Sequence, residues 1–234
     1  MSIADKIASV TRRVQKATEA AGRPAGSVRL LAVSKTRTAA ELRAAIAAGQ
    51  RAFGENYLQE ALDKITALQD QPDLEWHFIG PIQSNKTRAI AEHFQWVHSV
   101  DRLKVAHRLS EQRPDGLPPL NVCLQVNVND EGSKSGVTLA ALPELARAVS
   151  ELPNLSLRGL MAIPDPAQSE QALQQSFNNL AAALQALKQQ PWASKQPLDT
   201  LSMGMSDDLE LAIAAGATWV RVGTALFGER PAKS

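Results

Sequence analysis

The chain has 234 residues and a formal net charge of +1, with 25 basic and 24 acidic residues scattered along it. This balance excludes the basic surface that binding to nucleic acids or anionic membranes requires, so we expect neither as a partner. A hydrophobic content of 44% is ample for a core, and the length suits either two small domains or one α/β barrel.

The first predicted element is an amphipathic helix within residues 1–22. Apolar residues recur there at helical spacing, with charged residues between them, at Ile3, Ile7, Val10, Val14 and Ala21. These charges argue against a signal peptide, and no apolar run approaches the roughly 20 residues that a membrane-spanning helix needs. The single cysteine, Cys123, lies in an apolar run and is expected to pack as a small hydrophobic residue, which fits a reducing compartment. We therefore expect a soluble, cytoplasmic protein.

After this helix, short runs typical of β-strands alternate with helical segments. The eight runs are residues 28–35, 51–56, 75–80, 96–100, 121–128, 155–164, 199–204 and 218–228. The clearest helical stripe between them has steps of three and four and consists of Leu173, Phe177, Leu180, Leu184 and Leu187. Strand and helix alternating in this way predict an α/β fold, a (β/α)8 TIM barrel with an additional N-terminal helix.

A repeated pentapeptide supports the alternation. The sequence AIAAG occurs at 45–49 and again at 212–216, each time where a predicted helix gives way to a strand. Glycine at the end of a helix favours the left-handed cap conformation. No linker rich in Pro, Gly or Ser divides the chain, so we predict one barrel domain over residues 1–234, with the helix of residues 1–22 packed on it.

Two charged residues stand in predicted strands, at positions where a barrel holds its chemistry. Lys35 ends the first run, on the same face as Val33, and is either the first solvated residue after the strand or an amine that faces the barrel mouth. In the last run, Arg221 shares one face with Trp219 and Gly223, and Val220 and Val222 lie on the other. A buried guanidinium needs partners, either structural ones (a carboxylate or carbonyl groups) or a ligand.

The loops after the seventh and eighth strands carry Gly204 and Ser206 in SMGMSDD, and Gly223 and Thr224 in VGTALFG. Barrels frequently bind a phosphate group between these two loops, although ordinary turn and cap chemistry uses the same residue types. A lysine and a phosphate site at one mouth suggest pyridoxal phosphate, whose aldehyde forms a Schiff base with a lysine amine. A sugar-phosphate aldolase would use the same groups.

Six segments together resemble the pyridoxal phosphate homeostasis proteins, a family of single-domain barrels similar to the N-terminal domain of alanine racemase. The segments are LAVSKT, FGENYLQEA, WHFIGPIQSNK, GLMAI, LSMGMSDDLELAI and VRVGTALFG, which follow in order from about residue 28 to residue 229. The resemblance implies a protein that holds pyridoxal phosphate as a lysine Schiff base and takes part in intracellular vitamin B6 homeostasis.

The resemblance also implies roles for individual residues. Lys35 carries the cofactor, and Arg221 faces its pyridine nitrogen. The remaining implied contacts are Ser206, Gly223 and Thr224 on the phosphate group, and Asn56, Met161 and Ser202 along the pocket. The histidines show no ligand spacing, so no metal is expected. Pyridoxal phosphate and apo forms of enzymes that use it are the expected partners, and we expect a monomer.

Two functions stay open at such a site, a non-catalytic carrier and a racemase-like amino-acid enzyme. A cation at the pyridine nitrogen disfavours its protonation and weakens the ring as an electron sink, although the resembling racemases also have an arginine there. Those racemases place a tyrosine base on a C-terminal β-domain, which we expect this chain to lack. We expect packing or hydrogen-bonding roles for the single tyrosine, Tyr57, and for His77, which lies among apolar residues. The prediction is therefore a carrier without substantial catalysis.

Overall fold

The computed structural model describes residues 1–132, 134–230 and 232, and within these ranges nine strands and nine α-helices follow one another. The strands are β1 (Arg29–Val33), β2 (Ala52–Glu55), β3 (Glu75–Phe78), β4 (Trp96–Val100), β5 (Leu120–Asn127), β6 (Val137–Thr138), β7 (Leu155–Met161), β8 (Thr200–Ser202) and β9 (Trp219–Val222). The helices are α1 (Ile3–Ala20), α2 (Ala39–Ala47), α3 (Leu58–Ala67), α4 (Thr87–His93), α5 (Leu103–Gln112), α6 (Leu142–Ser150), α7 (Glu170–Lys188), α8 (Leu209–Ala215) and α9 (Thr224–Phe227). Two short 3₁₀ helices span Ser84–Lys86 and Pro191–Lys195.

The strands pair in parallel in the order β4-β3-β2-β1-β9-β8-β7-β5, and a further pairing of β4 with β5 closes the barrel. This confirms the predicted (β/α)8 barrel, because each of the eight predicted runs overlaps one barrel strand. The two-residue strand β6 pairs with β5 and was not predicted, since two residues are too few to show alternation. The last run, 218–228, is longer than its strand because the chain turns into α9 after Val222.

The predicted N-terminal helix is also confirmed. Ser2 begins α1 with a capping box, in which its side chain accepts the backbone N–H of Asp5 and the Asp5 carboxylate accepts the backbone N–H of Ser2. The apolar face buries Ile7, Val10 and Val14 in the main core. No helix in the described part of the chain is both long enough and apolar enough to cross a membrane.

Both glycines of the AIAAG repeats have the backbone conformation that the sequence predicts. Gly49 has φ of +99° and Gly216 has φ of +117°, in the left-handed region where a side chain would be strained. Each glycine stops its helix and lets the chain turn into β2 or β9. The repeat therefore marks two equivalent corners of the barrel.

The apolar residues form an outer layer between strands and helices and a smaller set inside the barrel. Ala32, Val220 and Val222 belong to the outer layer, whereas Leu31 and Trp219 pack in an interior cluster. Alternation then directs Val33 and Lys35 inward from β1, and Arg221 inward from β9. Cys123 is also inside, packed with Trp96 and Met161, and burial raises its pKa to about 12. The cysteine is a buried hydrophobic residue, as the sequence predicts.

Candidate cofactor site

A cavity of about 210 Å³ lies at the C-terminal ends of β1 and β9. It is lined by Val33, Lys35, Arg37, Pro166, Met205, Ser206, Asp207, Asp208, Arg221, Gly223, Thr224 and Arg230. Five residues that the sequence nominates for the cofactor thus lie around one space: Lys35, Ser206, Arg221, Gly223 and Thr224. Arg221 lies in β9 and the others lie in the segments that follow β1, β8 and β9, so the closure of the barrel brings them together.

Lys35 lies in the turn two residues after β1 and is partly buried. Burial, followed by repulsion from Arg230 and Arg221, lowers its pKa from the ordinary lysine value. A larger fraction of its amine is therefore unprotonated at neutral pH than in an exposed lysine. Because the unprotonated amine is the form that attacks a carbonyl carbon, this environment suits Schiff-base formation.

A buried ion pair lies behind Lys35 and holds the end of its strand. The ammonium of Lys64, on α3, donates to the carbonyl oxygen of Ser34 at 2.6 Å and lies 2.6 Å from Glu55 Oε1. It also contacts the carboxylate of Glu60 at 2.8 Å. Since Ser34 directly precedes Lys35, this pair fixes the backbone from which the Lys35 side chain extends. The sequence alone gave no indication of it.

Arg221 is buried below the cavity and makes two hydrogen bonds. Its Nη1 donates to Ser202 Oγ at 2.7 Å, and its Nη2 donates to the carbonyl oxygen of Ala162 at 2.9 Å. Burial lowers its pKa to about 10, so the guanidinium stays charged at neutral pH. A guanidinium has five N–H donors, which leaves others for the cavity that this side chain lines.

The loops after β8 and β9 are tied to each other and to α1. Ser206 Oγ accepts the backbone N–H of Ala225 at 3.4 Å, at the start of α9. Arg13 of α1 donates to the carbonyl oxygen of Ser206 at 2.8 Å and forms an ion pair with Glu210 at 2.8 Å. The N-terminal helix therefore holds one wall of the cavity in place.

The cavity carries an excess of positive charge. Its cationic side chains are Lys35, Arg37, Arg221 and Arg230, and its anionic ones are Asp207 and Asp208. Arg37 also pairs with Glu41 at 3.7 Å outside the cavity. The remaining cations, together with the Ser206 and Thr224 hydroxyls, fit a phosphate ester, whose oxygens accept hydrogen bonds from such donors. The amine and guanidinium on the barrel side fit the aldehyde and ring nitrogen of pyridoxal phosphate.

Sequence reasoning missed four of these charged residues. Arg37 lies two residues after Lys35 in the same turn, and this closeness could have indicated it. It donates to the backbone carbonyls of Phe227 and Gly228, which end α9. Nothing in the sequence indicates that Arg230 lies at the cavity, because its position depends on the path of the chain after α9. Asp207 and Asp208 were noted only as part of a loop motif.

Three predicted pocket residues are not on the wall of this cavity. Ser202 and Met161 are fully buried, Ser202 against Arg221 and Met161 in the interior with Trp96. Asn56 lines an adjoining cavity of about 380 Å³, which shares Pro166 with the first. The Asn56 Oδ1 atom is buried and has no hydrogen-bond partner among the described residues. An unpartnered buried oxygen beside the cavity is consistent with a ligand donor at this position.

Tyr57 and His77, for which the sequence predicts packing or hydrogen-bonding roles, both lie away from the cavity wall. Tyr57 is 52% exposed and lines neither cavity. His77 is fully buried inside the barrel, and both of its ring nitrogens have partners, so it is a satisfied core residue, as the sequence predicts. Among the residues that the structure describes, no three His, Cys, Asp or Glu side chains are placed to hold a metal ion.

Comparison with known proteins identifies the family. The family model for the N-terminal domain of alanine racemase matches residues 6–231. The chain is 65% identical to the pyridoxal phosphate homeostasis protein of Pseudomonas aeruginosa, over 98% of this chain and 96% of that one. It is 55% identical to the Escherichia coli K12 protein of the same name, over 97% of each. This chain belongs to the pyridoxal phosphate homeostasis protein family.

Solved structures agree with this assignment to the homeostasis protein family. PipY of Synechococcus elongatus, solved with pyridoxal phosphate bound, is 41% identical, with a TM-score of 0.85 over 97% of this chain and 100% of that chain. The same protein without pyridoxal phosphate gives 42% identity and a TM-score of 0.86. Alanine racemase from Corynebacterium glutamicum, at 19% identity and a TM-score of 0.67, covers 100% of this chain and 65% of its own, and shows a shared fold.

Proposed function

We propose that this protein binds pyridoxal phosphate as a Schiff base with Lys35 and takes part in the intracellular homeostasis of that cofactor, without substantial catalysis. The observation that carries the proposal is the meeting of the Lys35 amine, the Arg221 guanidinium and two hydroxyl-bearing loops around one positively charged cavity. The names of the curated relatives and the pyridoxal phosphate bound to PipY support it.

Each part of the cofactor has a counterpart in the cavity. The Lys35 nitrogen would bond to the aldehyde carbon, and the carbonyl oxygen would leave as water. The Arg221 guanidinium carries only N–H donors. It would therefore donate a hydrogen bond to the pyridine nitrogen and leave that nitrogen unprotonated. The residues proposed for the phosphate group are Ser206, Gly223 and Thr224. Met161 and Ser202 would support the cofactor from below, and the unpartnered Asn56 oxygen would face it from the adjoining cavity.

The proposal for a carrier rather than an enzyme rests on which proton-transfer groups surround Lys35. Bound pyridoxal phosphate withdraws electrons most strongly when its ring nitrogen is protonated, and a cationic Arg221 opposes this. Tyr57 lies outside the cavity, and Asp208 already accepts the backbone N–H of Met205 at 2.7 Å. We therefore propose one cofactor-binding domain over residues 1–234, acting as a cytoplasmic monomer that passes pyridoxal phosphate to apo-enzymes.

Loss of either loop hydroxyl should weaken cofactor binding. We expect Ser206→Ala and Thr224→Ala each to reduce affinity by about 1–3 kcal/mol, the usual range for a hydrogen bond to a charged group. Both variants should stay folded, because Thr224 is exposed and Ser206 only partly buried. Absorbance titration of the apo-proteins with pyridoxal phosphate measures the effect. Thr66→Ala, on the exposed surface of α3, is the control, and unchanged affinity in both loop variants would mean that the phosphate group binds elsewhere.

Deuterium exchange should separate the carrier from the racemase-like alternative. We expect the loaded protein, incubated with separate L- and D-amino acids in deuterated water, to give negligible Cα deuteration and inversion. A positioned acid or base typically contributes about 10²- to 10⁴-fold to such proton transfers, and we propose that none of the described residues acts in this way opposite Lys35. NMR and chiral chromatography provide the measurement, with a dedicated alanine racemase as the positive control. Rapid deuteration with inversion that Lys35→Ala eliminates would establish the enzyme instead.

A further inference from the structure

A line of hydrogen-bonded side chains crosses the barrel interior below the cavity. Glu75 Oε1 lies 2.6 Å from His77 Nε2, and His77 Nδ1 lies 2.8 Å from His98 Nε2. His98 Nδ1 lies 2.7 Å from Ser202 Oγ, which accepts Arg221 Nη1 at 2.7 Å. We call these five residues the polar chain. It connects β3, β4, β8 and β9, and all of its members except Glu75 are at most 4% exposed.

The two ends of the polar chain fix the direction of every hydrogen bond in it. Arg221 can only donate, and the carboxylate of Glu75 can only accept. Ser202 therefore accepts from Arg221 and donates its own proton to His98 Nδ1. His98 then donates from Nε2 to His77 Nδ1, and His77 donates from Nε2 to Glu75. Both histidines are thus neutral, with the hydrogen on Nε2.

The opposite direction fails at both ends. If His98 donated from Nδ1 to Ser202, the hydroxyl proton of Ser202 would have no acceptor among the described members of the chain. His77 Nε2 would then be an acceptor that faces the Glu75 carboxylate at 2.6 Å, which is repulsive. A charged imidazole is also disfavoured, because burial lowers the pKa of His77 and lowers that of His98 further below its usual range.

Two tryptophans hold the first imidazole of the polar chain in place. The His77 ring stacks on Trp96, with centroids 5.3 Å apart and planes 7° apart. The Trp219 ring packs edge-on against it, with centroids 4.7 Å apart. With the ring plane fixed on two sides, the His77 nitrogens point to Glu75 and to His98 and to no other polar group that the structure describes. The line is therefore built into the barrel core.

We infer that Glu75, His77, His98 and Ser202 are positioning residues for Arg221. A buried guanidinium is costly without compensation, and no carboxylate among the described residues forms an ion pair with it. In the polar chain, each neutral group turns its acceptor toward Arg221. Glu75 at the far end, which also pairs with Arg29 at 3.4 Å, accepts from His77 and so aligns them all. The polar chain thereby stabilises the positive charge of Arg221 and fixes the orientation of the guanidinium, so that its remaining N–H groups face the cavity.

Only the last step of this inference rests on the proposed function, namely that those N–H groups meet the pyridine nitrogen of pyridoxal phosphate. The direction of the polar chain has a consequence for that contact. Ser202 directs its hydroxyl proton away from Arg221, so the polar chain delivers no proton toward the cavity. Arg221 is held as a donor, and the group that it meets must be an acceptor.

Histidine tautomers in the apo-protein test the direction of the polar chain. In protein labelled with ¹⁵N-histidine, we expect NMR to show His77 and His98 as neutral, with protonated Nε2 and unprotonated Nδ1. The variants His93→Gln and His107→Gln, which replace the two surface histidines, identify the signals of those residues and leave those of His77 and His98. A charged imidazole, or hydrogen on Nδ1 at either buried histidine, would overturn the inference. This measurement needs no cofactor, so its outcome is separate from that of the proposed function.

Two variants show whether the members of the chain act together. Glu75→Gln keeps the side-chain shape but replaces an acceptor by an amide that can also donate, so both buried histidines should become mixtures of tautomers. Asp199→Asn is the matched control, because it removes a carboxylate that pairs with Arg158 at 2.9 Å outside the polar chain. It should leave both tautomers unchanged. Unchanged tautomers in a folded Glu75→Gln protein would contradict a coupled chain, and Glu75 is 26% exposed in its side chain, which favours folding of the variant.

Cofactor affinity tests the effect on Arg221. We expect Glu75→Gln to weaken binding of pyridoxal phosphate about tenfold, a loss of the size of one charge-assisted hydrogen bond, while Asp199→Asn leaves it unchanged. Absorbance titration of both variants gives the comparison. If the wild type binds the cofactor and Glu75→Gln binds it equally well, the positioning role is wrong. If the wild type does not bind it, the proposed function fails while the tautomer result still stands.

Discussion

Replacing Lys35 by alanine should abolish covalent attachment of pyridoxal phosphate. The purified wild-type protein should absorb visible light when loaded, and borohydride should fix the cofactor irreversibly to the peptide that contains Lys35. The variant has no amine at this position, so it should lose the visible band and the fixed label entirely. The phosphate contacts at Ser206 and Thr224 remain, so we expect weaker, reversible binding rather than none.

Mass spectrometry of the reduced, digested protein is the measurement. Lys86→Ala, which removes an exposed lysine after β3, is the control and should label like the wild type. A label that moves to another lysine with the spectrum unchanged would refute the assignment. The rate of attachment gives a further check, because the neutral amine reacts and the pKa of Lys35 is lowered. Attachment should therefore speed up with rising pH and level off below the usual lysine value of 10.5.

The sequence predicted the fold well because the barrel is built from local patterns. Each strand is a short apolar run, and alternation groups Lys35 with Leu31 and Val33, and Arg221 with Trp219, but it could not show which face of the first strand turns inward. The corners at Gly49 and Gly216 were visible as a repeat. The N-terminal helix was visible from its spacing. None of these inferences requires knowing which strand lies next to which.

The contacts that the sequence did not predict depend on distant parts of the chain. His77 was expected to be a core residue, which it is, but its partner His98 is on the next strand and Ser202 lies much later in the sequence. Only the register across the barrel brings them into line. Lys64 was hidden for a related reason, since a lysine on a helix usually faces solvent, and this one reaches inward to Glu55 and Ser34.

The site residues show the same division. Lys35 and Arg221 come from strand patterns, whereas the implied roles of Asn56, Met161 and Ser202 came from resemblance alone and stay predictions. The structure places these three beside or beneath the cavity rather than on its wall. A residue beneath a site acts through another residue, and the sequence pattern of a single strand cannot distinguish this from direct contact.

The ion pair between Lys64 and Glu55 should make the largest contribution to stability near the site. Lys64 is 6% exposed in its side chain and Glu55 is fully buried, so removing the cation leaves an uncompensated charge inside the protein. Breaking a buried pair in this way typically costs about 3–5 kcal/mol. We therefore expect Lys64→Met to lower the free energy of unfolding, by up to about this amount at a pH above 7, where Glu55 is ionised in the wild type.

The loss should depend on pH, because Glu55 can be neutralised by a proton. Burial raises its pKa to about 7 even with Lys64 as a counter-charge, so in the variant the pKa should be higher still. A carboxyl whose pKa is raised on folding does not lower the free energy of unfolding below its unfolded pKa, near 4.5. As the pH rises from there toward the folded pKa, the free energy of unfolding falls progressively. Up to about pH 7 both proteins lose stability alike, so the difference between Lys64→Met and the wild type should be smallest below pH 7 and should grow above it, toward about pH 9, as Glu55 ionises in the wild type but stays protonated in the variant.

Urea denaturation of both proteins across this pH range provides the measurement. The double variant Lys64→Met/Glu55→Gln is the matched control, because it removes both charges and leaves no carboxyl to titrate at this position. Its stability relative to the wild type should be higher than that of the single variant at neutral pH, and the difference between the two variants should shrink as the pH falls. A loss in Lys64→Met that stays below about 1 kcal/mol at about pH 9, the size of a surface pair, or that does not grow above pH 7 would show that Lys64 does not compensate Glu55.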